Sequence, residues 1–253
     1  RKVPVHIKID TGMHRVGVAP AEALNLARYI QSFESLTIEG IYTHFAVADE
    51  PNHPANVQQL SLFNDVLAQC AAAGIEPPMV HAANSAAALA NPDARFSMVR
   101  LGIAMYGLLP GPGVAEQCQG LIPALSLKGK VSAVRLVEKG EAVSYGLRRP
   151  LTATSLIATV PIGYADGVPR SLTDLDIQVL VNGVPRPFAG TITMDQLMLD
   201  CGNDYDVTVG DEVVLIGRQG DHVVTADDWA EALGTIGYEI VCGIGERVFR
   251  RYQ

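Results

Sequence analysis

The first half of the chain alternates short apolar runs with stretches of helical period. Val3-Pro-Val-His-Ile-Lys-Ile9 reads as a strand, and Asp10-Thr-Gly12 after it as a turn. Pro20 stands where a helix begins, and Leu24, Ala27 and Ile30 recur at helical spacing. Leu36–Tyr42 predicts a second strand. Pro54 opens a longer helix with Val57, Leu60, Phe63, Leu67 and Cys70 on one face, closed by Gly74. Met79–His81 is a short third strand, with a small helix from Asn84 to Leu89. Phe96–Arg100 is expected to be a fourth strand. Strand–helix alternation at this spacing means βα units and a parallel sheet.

Past residue 120 the pattern changes. Apolar runs at 125–137, 155–160, 177–181, 196–200 and 212–216 alternate with turns, and Val181-Asn-Gly-Val184 is a hairpin signal. A single helix is expected, capped by Thr225 with Asp228 three residues on and ended by Gly234. The sequence therefore divides into a partial α/β barrel over residues 1–120 and a mainly β domain over 121–253, entered near Pro110-Gly-Pro112. The four βα units fill about half of a (β/α)8 barrel, so the fold class is the C-terminal half of a TIM-type barrel, or a small open sheet, followed by a β domain.

Polar residues gather where the first-half strands end: Lys8 and Asp10, His44, Asn84 and Ser85, and Arg100. Barrels and open sheets both bind ligands there. If Val5, Ile7 and Ile9 pack against helices, His6, Lys8 and Asp10 face the other way. Lys8 then either pairs with Asp10 or is chemically altered. Arg100 sits inside the apolar stretch Met98–Gly107, and either snorkels to water or holds a ligand. Asn84 and Ser85 open a helix, which makes them caps or an anion site. Tyr145 and Tyr164 lie in turns. A catalytic tyrosine needs positive surroundings to lower a hydroxyl pKa that is about 10 when unperturbed.

The composition narrows the function. A net charge of −8 argues against nucleic-acid and membrane-surface partners. No apolar run approaches the roughly 18 residues of a membrane span. Cys70, Cys118, Cys201 and Cys242 are widely spaced and read as the reduced thiols of a cytoplasmic protein. The six histidines show no metal-ligand spacing, so no metal is expected.

Taken together, Ile7–Gly17, Tyr42–Ala46, His81–Ser85, Met98–Gly107, Val143–Gly146, Pro161–Gly167 and Thr193–Gln196 resemble the bacterial alanine racemases in order and separation. The resemblance implies a homodimeric, pyridoxal 5′-phosphate-dependent isomerase that interconverts L- and D-alanine for cell-wall peptidoglycan, its active sites shared between subunits. It implies that Arg100 faces the cofactor's pyridine nitrogen and that Ser85, Asn84, Gly102 and Ile103 hold its phosphate. Tyr145 from the partner would be one of two catalytic bases, backed by a cationic chain through His44 and Arg100, with Tyr164 supporting Arg100. Arg15 would hold the substrate carboxylate, Lys8 would be carbamylated, and Met194 and Asp195 would line the substrate pocket.

Two departures stand out. The family's cofactor-bearing lysine, which is also its second base, precedes the first motif and has no counterpart in the sequence, so these 253 residues alone are expected not to racemise alanine. Glu246 stands where the family usually has a phosphate-binding tyrosine. The alternatives are a racemase of wider range, acting on serine, and an inactive cofactor-binding relative. A barrel-fold decarboxylase fits less well, because its Gly-rich phosphate loop and cysteine motif are not evident.

Overall fold

The computed structural model describes residues 1–252, which divide into two compact units at Ile122 and Pro123. The first unit is built on three parallel strands in sequence order: β1 (Val3–Lys8), β2 (Leu36–Tyr42) and β3 (Met79–His81). Helices α1 (Ala23–Gln31) and α2 (Pro54–Ala72) make the crossovers, and α3 (Ser85–Ala90) follows β3. Ile7, Ile9 and Ile41 are buried in one core with Ala23 and Ala27 of α1 and Phe63, Val66 and Cys70 of α2. Alanines at the contact let α1 lie close to the sheet. Burying a side chain such as Phe63 contributes about 2 kcal/mol. The alternation of β1 is therefore real: His6 and Lys8 leave the core on the opposite face.

The inward stripe of α2 differs from the expected one. Asn56, Gln59, Phe63, Val66 and Cys70 are buried, whereas Val57 is 73% exposed. Two amides replace apolar residues because they anchor loops. Gln59 Nε2 donates to Thr11 Oγ1 (3.2 Å) and to the His44 carbonyl (3.0 Å), and its Oε1 accepts from Ala46 N (2.9 Å). Asn56 Nδ2 donates to the carbonyls of Val47 and Glu50. The loops after β1 and β2 are thus tied to one helix.

Three further expectations are corrected. Residues 96–100 are not a strand: Ser97 N and Arg100 N donate to the carbonyls of Val80 and Ala83, but Phe96 has φ of +47°, which breaks the ladder. Pro110–Pro112 does not open a linker. A 3-10 segment at Pro112–Cys118 packs its Val114, fully buried, into the first unit's core. Among the described residues, the second unit also has two α-helices rather than one.

That unit is antiparallel. Strand β10 (Glu212–Gln219) is its longest and pairs with β4 (Leu127–Lys130), β7 (Gln178–Val181) and β11 (His222–Val224), while β8 (Val184–Pro187) pairs with β7. A second sheet runs β5 (Ala133–Val137), β6 (Ser155–Val160), β9 (Leu197–Asp200). The hairpin between β7 and β8 turns on Asn182 and Gly183, both at positive φ as that turn requires. Helix α4 (Ala226–Leu233) starts in the expected capping box of Thr225 and Asp228, and α5 (Gly237–Gly243) follows. No helix is long and apolar enough to cross a membrane among the described residues.

Candidate active site

The polar face of the first unit's sheet converges on Arg100. Its Nη1 donates to His81 Nδ1 at 2.6 Å. Its Nη2 is shared among the Thr43 carbonyl (2.8 Å), the Ala82 carbonyl (3.0 Å) and His44 Nδ1 (3.1 Å). The guanidinium carbon lies 5.4 Å from the centre of the Tyr42 ring. So Arg100 does not snorkel; it is fixed by acceptors from two strand ends, those of β2 and β3. Every one of these bonds uses Nη1 or Nη2, and among the described residues Nε makes none. Burial works against the charge and lowers the pKa, with Tyr42 opposing, yet a guanidinium stays protonated in proteins.

The two histidines are the other half of this arrangement. Burial, then Arg100, then Arg15 and Lys8 pull the pKa of His44 down to about 4. Burial, Arg100 and His6 do the same for His81, also to about 4. Both rings are neutral near pH 7 and accept from Arg100 through Nδ1, which leaves their protons on Nε2. The expected cationic chain is therefore corrected: the charge rests on Arg100, and His44 extends it as a polarised N–H.

Lys8 and Arg15 belong to one tight loop. Asp10 N donates to the Val18 carbonyl (2.8 Å) and Val18 N to the Lys8 carbonyl (2.9 Å), so the chain doubles back along β1. Gly17 permits this at φ of +121°, since a Cβ there would lie 3.0 Å from Asp10 N and from the Lys8 carbonyl. The Lys8–Asp10 pair does not form. Asp10 instead accepts from Gly12 N, His14 N and the His14 ring, and those bonds, His14 N first, hold its carboxyl below the usual range. Lys8 Nζ donates to the Val16 carbonyl (2.8 Å). Burial lowers its pKa, and Arg15 and Arg100 add to the shift against Asp10. Arg15 itself is exposed.

Next to Arg100, Ser85 and the turn at Ile103–Tyr106 form a small cradle. The buried Ser85 Oγ accepts from Gly102 N (2.8 Å) and Ala104 N (3.4 Å), which leaves its own hydrogen free to donate. A Cβ on Gly102 would meet only Ser85 Oγ, at 3.7 Å, so the backbone there is open to a ligand. Asn84 is the cap of α3: its Oδ1 accepts from Ala87 N (3.0 Å).

In the second unit Tyr145 is 74% exposed on a turn flanked by Ser144 and Leu147, both at positive φ. Ser144 Oγ donates to the Thr191 carbonyl (2.6 Å) and Thr191 Oγ1 to the Tyr145 carbonyl (3.0 Å). The backbone is pinned while the side chain projects. Tyr145 lines a groove of about 730 Å³ with Arg135, Thr159 and Met198. Tyr164 and Ala165 donate through their amides to the carbonyls of Thr193 and Met194 (both 3.0 Å), so these loops form one patch with exposed Met194. Asp195 accepts from Arg247 Nη2 (2.7 Å), and Arg247 Nε faces Asp166 (3.3 Å). Glu246 is exposed beside it. Sequence reading gave no role to Arg247, Gln59 or His81; only the strand-end position of His81 could have signalled it.

Comparison with known proteins adds the family. The alanine racemase N-terminal domain matches residues 1–110 and the alanine racemase C-terminal domain residues 124–252. The chain is 48% identical over 248 residues to the alanine racemase of Symbiobacterium thermophilum, covering 98% of this chain and 65% of that relative. It is 46% identical over 256 residues to that of Thermobifida fusca, covering 100% and 67%. The crystal structure of alanine racemase from Streptomyces lavendulae aligns with a TM-score of 0.90 at 41% identity, over 98% of this chain and 65% of that one. The Bacillus anthracis alanine racemase structure with bound L-Ala-P gives 0.88 at 41% identity, over 98% and 64%. The chain thus spans about two thirds of the length of the curated relatives it matches. Its architecture is theirs: part of a TIM-type barrel, then a mainly β domain. With both domains matched in order, and relatives at this identity along nearly its whole length, the chain belongs to the alanine racemase family.

Proposed function

We propose that the protein containing this chain interconverts L- and D-alanine with pyridoxal 5′-phosphate, as a homodimer that supplies D-alanine for peptidoglycan. The observation that carries this reading is Arg100, held by its Nη atoms with Nε left over and two neutral histidines beside it. That set suits an unprotonated aromatic nitrogen, which accepts from Nε. It does not suit a protonated one, which needs a carboxylate. The cradle fits the cofactor's phosphate: the Ser85 hydroxyl, the Ile103 amide and the open backbone at Gly102 would hold it. When bound, the cofactor supplies an electron sink for the electrons left by removal of the alanine Cα proton. An unprotonated ring is a weaker sink, which favours prompt return of the proton over side reactions.

The chain's own residues do the rest. Tyr145, contributed by the partner subunit, would take or return the Cα proton on one face. Neutral His44, with its Nδ1 occupied by Arg100, would donate Nε2–H to the tyrosine oxygen and favour its ionised form. Exposed Arg15 would bind the substrate carboxylate. Lys8 would react as a neutral amine with carbon dioxide, releasing one proton and leaving a carbamate beside Arg15; its lowered pKa raises the fraction of free amine. Tyr164 would support Arg100, and Met194 and Asp195 would line the substrate pocket.

The test is to purify the full-length protein, add pyridoxal phosphate and L-alanine, and measure D-alanine. Turnover that is lost in Tyr145→Phe supports the reading. No turnover, or equal turnover in the variant, contradicts it. The 253 residues alone are expected to give none.

A further inference from the structure

Behind Arg100 and His81 the line of polar side chains continues. His81 Nε2 is 2.9 Å from His6 Nδ1, and His6 Nε2 is 3.4 Å from a carboxylate oxygen of Glu39. Four side chains therefore form one line: Glu39, His6, His81, Arg100. His6 is on β1 and His81 on β3, with β2 between them. Two features of β2 make the contact possible. The β1–β2 register slips between Val5 and His6, which sets His6 opposite Gly40 and leaves Glu39 unpaired in the bulge. Gly40 then has no side chain to block the imidazole: a Cβ there would lie 2.4 Å from His6 Nδ1. The ring crosses β2 over that glycine. Tyr42 completes the channel, its ring stacked on His81 at 4.7 Å and 14°.

The proton order along this line is determined. Arg100 can only donate, so His81 Nδ1 accepts. A neutral His81 then carries its proton on Nε2 and donates to His6 Nδ1. His6 in turn carries its proton on Nε2, toward Glu39. The opposite order would set a His81 N–H against an Arg100 N–H across 2.6 Å. The carboxylate at the far end favours the order that the guanidinium at the near end requires.

We propose that Glu39 and His6 are positioning residues for Arg100, acting through His81: by accepting from Nε2 they reinforce the tautomer that Arg100 requires and hold the ring against the guanidinium. The guanidinium plane is thereby set and Nε is aimed outward. The inference rests on the functional reading above only where it predicts turnover; the tautomer is independent of it.

The experiment uses the full-length holoenzyme with His6→Phe, which keeps the ring and removes the acceptor, and His6→Gln, which restores an acceptor through its amide oxygen. Long-range 1H–15N spectra with labelled histidine report the tautomer of His81. The parent should show Nε2 protonated and Nδ1 bare. His6→Phe should let a minor Nδ1-protonated tautomer of His81 appear, with about a fivefold loss in kcat at unchanged KM for alanine, the worth of about one hydrogen bond. His6→Gln should recover both. Glu39→Leu should shift the tautomer in the same direction as His6→Phe. An unaltered His81 tautomer with unaltered kcat in His6→Phe would overturn the proposal, as would a His6→Gln variant as impaired as His6→Phe, since that outcome means packing alone. A parent enzyme without turnover sinks the functional reading and the positioning role together, while the spectra still show whether the line of bonds exists.

Discussion

Arg100 and Tyr145 are held in opposite ways. Arg100 is half-buried at the centre of a finished network, its Nη atoms occupied by strand ends and histidines. Tyr145 is exposed, its backbone pinned by Thr191 and its side chain bare. One group is preorganised by its own unit and the other is offered outward. On the proposed function the difference teaches how a shared site would be built asymmetrically: the charge that tunes the chemistry would be locked inside one unit, and the group that moves the proton would wait on another's surface. Mutations should therefore separate stability from activity, and do so differently at the two places.

Among substitutions, the largest effect on stability is expected at Arg100. Arg100→Met leaves the acceptors at Thr43, His44, Ala82 and His81 without their donor and should cost about 3 kcal/mol, read from urea unfolding. Arg100→Lys keeps charge but lacks the planar fork, and should fall between Met and the parent. A midpoint for Arg100→Met equal to the parent's would break the picture of a locked network. Next comes Gly190→Ala, which attacks the support of the tyrosine turn. Gly190 has φ of +73° and a Cβ there would lie 2.1 Å from the Val143 carbonyl. We expect a cost of about 2 kcal/mol, with the Tyr145 turn displaced. A crystal structure of that variant with the turn in place would contradict the assigned role of Gly190.

The same contrast is legible, in part, from sequence. The period of two in β1 placed Ile7 and Ile9 inward and His6 and Lys8 on the other face, because one face of the strand meets helices. The Asn-Gly hairpin and the Thr225 cap were visible because those local geometries admit few residues. Arg100 stood out because an unneutralisable charge in an apolar stretch demands a partner. The partners did not stand out. His81 and Gln59 acquire their roles from contacts 19 and 48 residues distant in sequence, which no local pattern encodes. Apolar periodicity points Val57 inward, yet the buried stripe of α2 is shifted by one residue to bring Asn56 and Gln59 against two loops. The extended run at 96–100 lost its strand character to one residue at positive φ, Phe96.

An effect of pH is expected at the same network. His44 and His81 titrate near 6.5 when unfolded and near 4 in the folded protein. Between those values the unfolded chain binds protons that the folded chain does not, so stability falls as pH drops from about 6.5 toward 4 and levels off below. Urea midpoints near pH 7 and near pH 5 measure this, and an unchanged midpoint would mean the rings are not held neutral. The smallest effect on stability belongs to Tyr145→Phe, within about 0.5 kcal/mol because the side chain is exposed, although turnover should fall by about a hundredfold or more.

The most direct test uses both halves of the comparison at once. Arg15→Ala removes the proposed carboxylate clamp from the first unit and Tyr145→Phe the proposed base from the second, and both side chains are exposed enough to spare the fold. Each full-length variant alone should be inactive. Co-expressed at equal levels, half the dimers are mixed and each mixed dimer holds one intact site, so activity should return to about a quarter of the parent's. Activity no higher than that of either variant alone would mean that Tyr145 serves its own subunit's site, and the shared-site account would fail.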